Sequence, residues 1–208
     1  MHIVIFGANG RVGSRLVREL VKDGHEVRAC VHGRHDFETG QNLEVIEVDI
    51  YDANGVARAV QGQDVVVSTL GSWGTKRKDV LSSAMRHIIP AMKAHNVSRI
   101  ITLTGAGAFD ADDTPSFVDR ANRSILRMVA RKVFDDGEQH IRLLRQSDLD
   151  WSVVRSPIMT EQGATHYSWR EKAPKPWATI HRNAVVQAMA ELVDKPSHNR
   201  KAPFLQRA

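Results

Sequence analysis

Gly7, Gly10 and Gly13 are spaced G-x-x-G-x-x-G at the point where an apolar run, Ile3 to Phe6, gives way to an amphipathic pattern of Val12, Leu16, Val17, Leu20 and Val21. That order predicts strand, turn, helix. Gly7, lacking a Cβ, can take positive φ and turn the chain sharply. Gly10 lets a ligand approach the backbone, and Gly13 lets the helix sit close on the strand. Backbone N–H groups then face outward at the helix N-terminus, where the helix dipole favours an anion such as a pyrophosphate. Gly7, Asn9, Gly10, Arg11, Val12 and Gly13 therefore form a candidate pyrophosphate site. The spacing differs by one residue from the G-x-G-x-x-G fingerprint, so a tight turn without a ligand is the rival reading; the strand before and helix after favour dinucleotide binding.

A dinucleotide site that selects NAD places a carboxylate at the end of the second strand, against the ribose 2′-OH. Here that end reads His32-Gly33-Arg34-His35. Arg34, with His32, can hold a 2′-phosphate through charge-assisted bonds, which favours NADP (as NADPH) over NAD. Asp36 is the carboxylate nearest that place. His32-x-x-His35 has no cysteine or acidic group at ligand spacing, so no metal site is expected. His166, beside Tyr167 in an aperiodic stretch, is the histidine placed to act as an acid. Thr104, at a strand end, either hydrogen-bonds a substrate carbonyl or is satisfied by its own backbone.

These residues need a scaffold, and the pattern supplies one. Strands are expected at His25–Val31, Leu43–Val48, Asp64–Leu70, Arg99–Thr104 and Trp151–Arg155, and a short one at Pro203–Leu205. Helices are expected after Gly13, over Ala53–Val60 with Asp52 as cap, over Lys78–Ala94 with a kink at Pro90, over Ser116–Ser147 with a break near Asp135-Asp136-Gly137, and over Arg182–Val193. Alternating strands and helices predict an α/β fold, a doubly wound (Rossmann) parallel sheet of order 3-2-1-4-5-6. Its ligands bind outside the carboxyl ends of the strands, which collects Gly7 to Gly13, Val31 to Arg34 (with His32), Asp49 and Ile50, Leu70 to Trp73 (with Gly71 and Ser72), Thr102 to Gly107, and Ser156 to Met159. Ser156 to Thr179 shows no periodicity and carries Tyr167, Trp169 and Trp177, so it is expected to be a substrate lid in a small C-terminal region.

The 208 residues suit one domain over 1–208 with 156–179 as its lid, and 42% hydrophobic and 25% charged residues are ordinary for a globular protein. No apolar stretch approaches the ~20 residues of a membrane span, and no basic leader precedes the first strand, so no membrane partner and a cytoplasmic setting are expected. The lone Cys30 cannot form an internal disulfide. The net charge of +5 concentrates at Arg120, Arg123, Arg127 and Arg131, one helical face. No nucleic-acid-binding signature accompanies it, so a solvated face is favoured and nucleic acid disfavoured. Nothing in the sequence bears on oligomeric state.

Gly7-Ala8-Asn9-Gly10-Arg11-Val12-Gly13 resembles the glycine motif of the atypical short-chain dehydrogenase/reductases, in their NmrA-like and flavin-reductase branch. Val48-Asp49, Gly62 to Val67, Ala91 to Val97, Leu143 to Trp151 and Val154-Arg155-Ser156-Pro157 match the same pattern in order, over most of residues 1 to 195. Within that group the chain is most similar to the biliverdin-IXβ reductase/flavin reductase type. The resemblance implies NADP in the cleft, Asp49 and Ile50 beside the adenine, and Leu70, Gly71, Pro157 and Ile158 near the nicotinamide. The chain departs from the catalytic Tyr-x-x-x-Lys pair: Tyr51 is followed four residues on by Gly55, and Tyr167 by Glu171. Two functions remain. One is an NADPH-dependent oxidoreductase passing hydride to an electron-poor aromatic small molecule, a flavin or quinone, that takes its proton from water. The other is a non-catalytic NADP-binding redox sensor, for which the missing pair and the arginine face speak. The lid aromatics favour the enzyme.

Overall fold

Ile3 to Phe6 are buried on both sides of the backbone, a placement open only to a strand in the middle of a covered sheet. The computed structural model describes residues 1–114, 117–195 and 197–208, and for 117–127 and 129 the backbone alone. The elements run β1 (His2–Phe6), α1 (Gly13–Lys22), β2 (Glu26–Val31), β3 (Leu43–Glu47), α2 (Ala53–Val60), β4 (Val65–Ser68), α3 (Val80–Ala94), β5 (Arg99–Gly105), α4 (Phe117–Arg145), β6 (Asp150–Ser156), β7 (Ile158–Thr160), β8 (Tyr167–Arg170), β9 (Thr179–His181), α5 (Arg182–Asp194) and β10 (Phe204–Arg207).

The main sheet has the order β3-β2-β1-β4-β5-β6-β10-β8, so the expected 3-2-1-4-5-6 arrangement is present and is extended by two strands. β1 pairs in parallel with β2 (Ile3 opposite Val27) and with β4 (Ile3 opposite Val65). Alternation along β1 divides the core. Ile3 and Ile5 face Leu16, Leu20, Ala188 and Leu192 of α1 and α5; Val4 and Phe6 face the layer of Met85, Ile88, Met92 and Leu144 from α3 and α4. Truncating a buried isoleucine here to alanine would cost about 2–5 kcal/mol through lost transfer energy and the cavity left. The helices thus press the sheet from both sides, and the carboxyl ends of β1, β4, β5 and β6 form one shelf.

Two sequence expectations change. Ser156–Thr179 is not without structure: β7 pairs in parallel with β9, and β8 pairs antiparallel with β10 at the sheet edge. Strands of three or four residues are too short to show a period. The irregularity in α4 lies at Ala130 (φ −132°, ψ 31°), not at Asp135-Asp136-Gly137. Gly137 serves contact instead, for a Cβ there would stand 2.8 Å from both Thr104 Oγ1 and the Ala108 Cβ. α3 carries Pro90 inside one continuous helix. Of the arginine face, the side chains of Arg120, Arg123 and Arg127 lie outside the described residues, while Arg131 is exposed and meets Asp135 at 3.5 Å. Among the described residues no helix is long and apolar enough to cross a membrane, and no three ligating side chains cluster to hold a metal.

Candidate functional site

The glycine turn is held by its own backbone. Gly7 has φ +79°, and its carbonyl accepts from Gly10 N–H at 3.0 Å and from the Thr69 hydroxyl at 3.0 Å. Gly13 is a requirement of space: a Cβ there would meet the Gly7 oxygen at 2.2 Å and Ala8 Cα at 2.9 Å. Gly10 is exposed, and a Cβ there would meet only the Gly7 oxygen, at 3.1 Å. The helical ladder of α1 begins with Ser14 N–H to the Gly10 carbonyl at 2.9 Å, so the amides of Arg11, Val12 and Gly13 stand ahead of it. Val12 offers no side-chain cap and the first turn has no acidic residue, leaving those donors and the positive dipole end to an anion. The turn fits a pyrophosphate.

At the end of β2 the Asn9 side chain reaches across and donates to the carbonyls of His32 (2.9 Å) and Arg34 (3.1 Å). His32, Arg34 and Asp36 are exposed beside it. Just past the end of β3, the Asp49 carboxylate accepts from Tyr51 N–H at 2.9 Å, and His87 donates to the Ile50 carbonyl at 2.8 Å. Arg77 lies 3.6 Å over the Tyr51 ring and pairs with Asp79, whose carboxyl it holds down to about 2. This is the flank where an adenine is expected.

The opposite flank centres on a carboxylate that no spacing in the sequence singled out. Asp136 of α4 is 4% exposed and accepts from the Ser72 hydroxyl, from Leu81 N–H (3.0 Å) and from Ser82 N–H (2.9 Å). It thereby caps α3 from outside, a place the helix dipole favours, and fixes Ser72 at the end of β4. Leu70 and Gly71 lead into that loop; Pro157 and Ile158 leave the end of β6 across from it. One turn beyond Asp136, His140 is fully buried with neither ring nitrogen hydrogen-bonded among the described residues, and burial pushes its pKa down to about 4. Thr104 is buried beneath Gly137. The loop after β5 is tied down by Arg155, buried and 2.5 Å from Asp113, and by Arg145, which grips Asp110 and Asp112.

The three side chains expected to do proton chemistry are not brought together. Thr104 lies on β5 and Tyr167 on β8, three strand spacings away, or about 14 Å at the usual inter-strand distance. The Tyr167 hydroxyl is bound to Glu191 of α5, and burial with that carboxylate raises its pKa. His166 is exposed at the same edge, its carbonyl accepting from Ala208 N–H at 3.3 Å. Trp169 packs on His198 at 4.8 Å. The lid aromatics therefore divide: Tyr167 and Trp169 brace the sheet edge, while Trp177 stays exposed beside Ile158, whose N–H donates to the Ala178 carbonyl at 3.2 Å. Trp73, after β4, is exposed as well. A further unforeseen group borders α1: Glu161 joins Arg15 (2.8 Å) and Arg182, with Asn183 accepting from Arg15 at 2.8 Å. The 480 Å³ groove there lies between α1 and α5, on the flank of the glycine turn and not over it.

Comparison with known proteins follows the same lines. The model of a family described as NAD(P)H-binding matches residues 7–196. The uncharacterized protein YwnB of Bacillus subtilis (strain 168) is 29% identical over 125 residues, 56% of this chain. The chain spans 57% of that protein's length and smaller shares of further curated relatives. A short-chain dehydrogenase/reductase from Veillonella parvula, solved in complex with NADP, superposes with TM-score 0.81 at 20% identity, over 99% of this chain and 94% of that one. ChuY, an anaerobillin reductase from Escherichia coli O157:H7, superposes with TM-score 0.75 at 21% identity, over 100% and 97%. At those identities the likeness is one of fold.

Proposed function

The chain belongs to the NAD(P)H-binding family, and from that premise we propose that it is an oxidoreductase passing hydride from NADPH directly to an electron-poor aromatic acceptor of the flavin or quinone kind. The observation that carries this reading is the apolar surface left uncovered where the acceptor would sit: Trp73 is 67% exposed, Ile158 58% and Trp177 71%. Exposed apolar side chains of this size, where they adjoin, mark a surface that a ligand or partner covers. A flat conjugated ring would stack on the indoles and remove that surface from water.

When bound, the reduced nicotinamide supplies the hydride. The chain's own residues bind and orient. Gly7, Gly10, Val12 and Gly13, with Arg11, cradle the pyrophosphate. Arg34, with His32, takes the 2′-phosphate and sets the preference for NADPH over NADH. Asp49 and Ile50 flank the adenine, and Leu70, Gly71, Ser72, Pro157 and Ile158 line the nicotinamide end. No side-chain acid is assigned: a flavin or quinone gains the hydride, draws its proton from water and leaves as the two-electron-reduced product. The engagement of Tyr167 by Glu191, far from β5, supports that economy of means. The reductase activity for which ChuY is named points the same way. Steady-state NADPH oxidation with a panel of flavins and quinones tests the proposal. Binding of NADPH without turnover of any acceptor would overturn it in favour of a cofactor-sensing protein.

A further inference from the structure

We propose that Asn9 is a positioning residue that sets cofactor preference, by holding the His32–Arg34 loop against the glycine turn so that the two anion-binding segments form one site. This rests on the reading of Arg34 as the 2′-phosphate ligand. Asn9 was expected among the groups touching the cofactor, and the hydrogen bonds argue otherwise. A side-chain amide nitrogen carries two hydrogens. In Asn9 both are taken, by the His32 carbonyl at 2.9 Å and the Arg34 carbonyl at 3.1 Å. The atom that remains, Oδ1, is an acceptor and has the wrong polarity for a phosphate.

The loop is built to receive that bridge. Gly33 stands between the two carbonyls at φ +76°, a left-handed turn, with nothing within 4 Å of where a Cβ would be. Its conformation, and not its lack of bulk, lets carbonyls two residues apart face a single nitrogen. Residues 32–39 belong to no helix or strand. Their other anchor is further on, where Phe37 stacks with His35 and lies 5.9 Å from the Arg18 guanidinium. Just before Asn9, Ala8 N–H donates to the Cys30 carbonyl at 3.1 Å, so the turn is already registered on β2. The amide extends that registration by one step, to the residues that carry charge. Arg11 and Arg34 then stand on either side of it, and no carboxylate occupies the first turn of α1 between them. A cofactor with a 2′-phosphate needs both segments at fixed separation; one without it needs only the turn.

The test compares dissociation constants of NADPH and NADH, by fluorescence titration, for wild type, Asn9→Ala, Gly33→Ala and Arg34→Ala. Asn9→Ala is expected to weaken NADPH by about ten-fold, the scale of one hydrogen bond to a charged group, and to leave NADH within about two-fold. Gly33→Ala disturbs the loop without touching the turn, has room for its methyl group, and should lower the same ratio. If Asn9→Ala weakens both cofactors alike, the amide acts on the cofactor itself and the proposal is overturned; if Gly33→Ala keeps the wild-type ratio, the conformation of the loop does not set the preference and the proposal is overturned as well. If Arg34→Ala abolishes the preference and Asn9→Ala does not, the proposal fails while the role of Arg34 stands. If Arg34→Ala leaves the ratio unchanged, the reading of the 2′-phosphate site fails, and the proposal with it.

Discussion

Replacing His140 by leucine should make the protein markedly more resistant to acid. The imidazole is fully buried on α4 and neither ring nitrogen has a hydrogen-bond partner among the described residues, so protonation would place an unsolvated charge in the core. Burial lowers its pKa from 6.5 to about 4, and the nearby Asp136 carboxylate offsets only part of that. Because the folded value lies below the unfolded one, the unfolded chain binds the extra proton first. Stability is therefore complete above pH 6.5 and falls as pH drops toward 4. At 1.36 kcal/mol per pKa unit the full loss is about 3 kcal/mol, of which about 2 has gone by pH 5. Leucine has no proton to gain and leaves no polar atom unpaired, so at pH 7 the variant should be as stable as wild type or slightly more so. Urea unfolding at pH 7, 6, 5 and 4.5 measures both proteins, and other titrating groups cancel in the difference. The wild-type curve should descend more steeply by about 2 kcal/mol between pH 7 and 5. Parallel curves would refute the reasoning, showing that the ring finds a partner or water in the core.

Other expectations follow from the same contacts. Gly13→Ala should cost several kcal/mol, roughly the price of overpacking, since its methyl group would meet the Gly7 oxygen; Gly10→Val should leave the melting temperature nearly unchanged and abolish NADPH binding in calorimetry. Asp136→Asn should destabilise the fold by about 3 kcal/mol, because one carboxylate accepts three hydrogen bonds at the head of α3; a smaller loss in urea would deny it that role. Trp177→Ala should reduce turnover with the best acceptor by at least ten-fold, about 1.4 kcal/mol of transition-state stabilisation, with NADPH affinity unchanged. Tyr167→Phe should leave turnover intact and lower stability by about 1 kcal/mol through the lost bond to Glu191; a collapse of turnover instead would restore Tyr167 to the chemistry.

Much of the fold was legible because it depends on local pattern. Apolar runs bounded by glycine gave β1, β4 and β5, the run before Pro157 gave β6, and the capping role of Asp52, which accepts from Asn54 N–H at 3.0 Å, could be read from residue type alone. The glycine turn was legible for the same reason. What escaped was set by distance in sequence. Asp136 looked like part of a helix break, and only the approach of α4 to β4 and α3 shows it meeting Ser72, Leu81 and Ser82. Glu161 and its arginines come from three separated segments, so no spacing could unite them. The strands within Ser156–Thr179 were missed because strands as short as β7 and β9 leave no period to read. Trp169 and Trp177 are alike in sequence, and their different fates depend on the partner each meets: His198 for one, solvent for the other.

The position of β10 between β6 and β8 bears on how the molecule is made. Among the described residues β8 has β10 as its sole neighbour in the sheet, yet some thirty residues, including all of α5, are synthesised between them. On the ribosome the glycine turn and β1 to β6 can assemble as they emerge, whereas Tyr167–Arg170 must wait with its backbone donors and acceptors unpaired. During that interval the segment is an open edge, able to pair with any passing strand. The site beside β1 is thus within reach early, and the flank braced by Tyr167 and Trp169 is completed last.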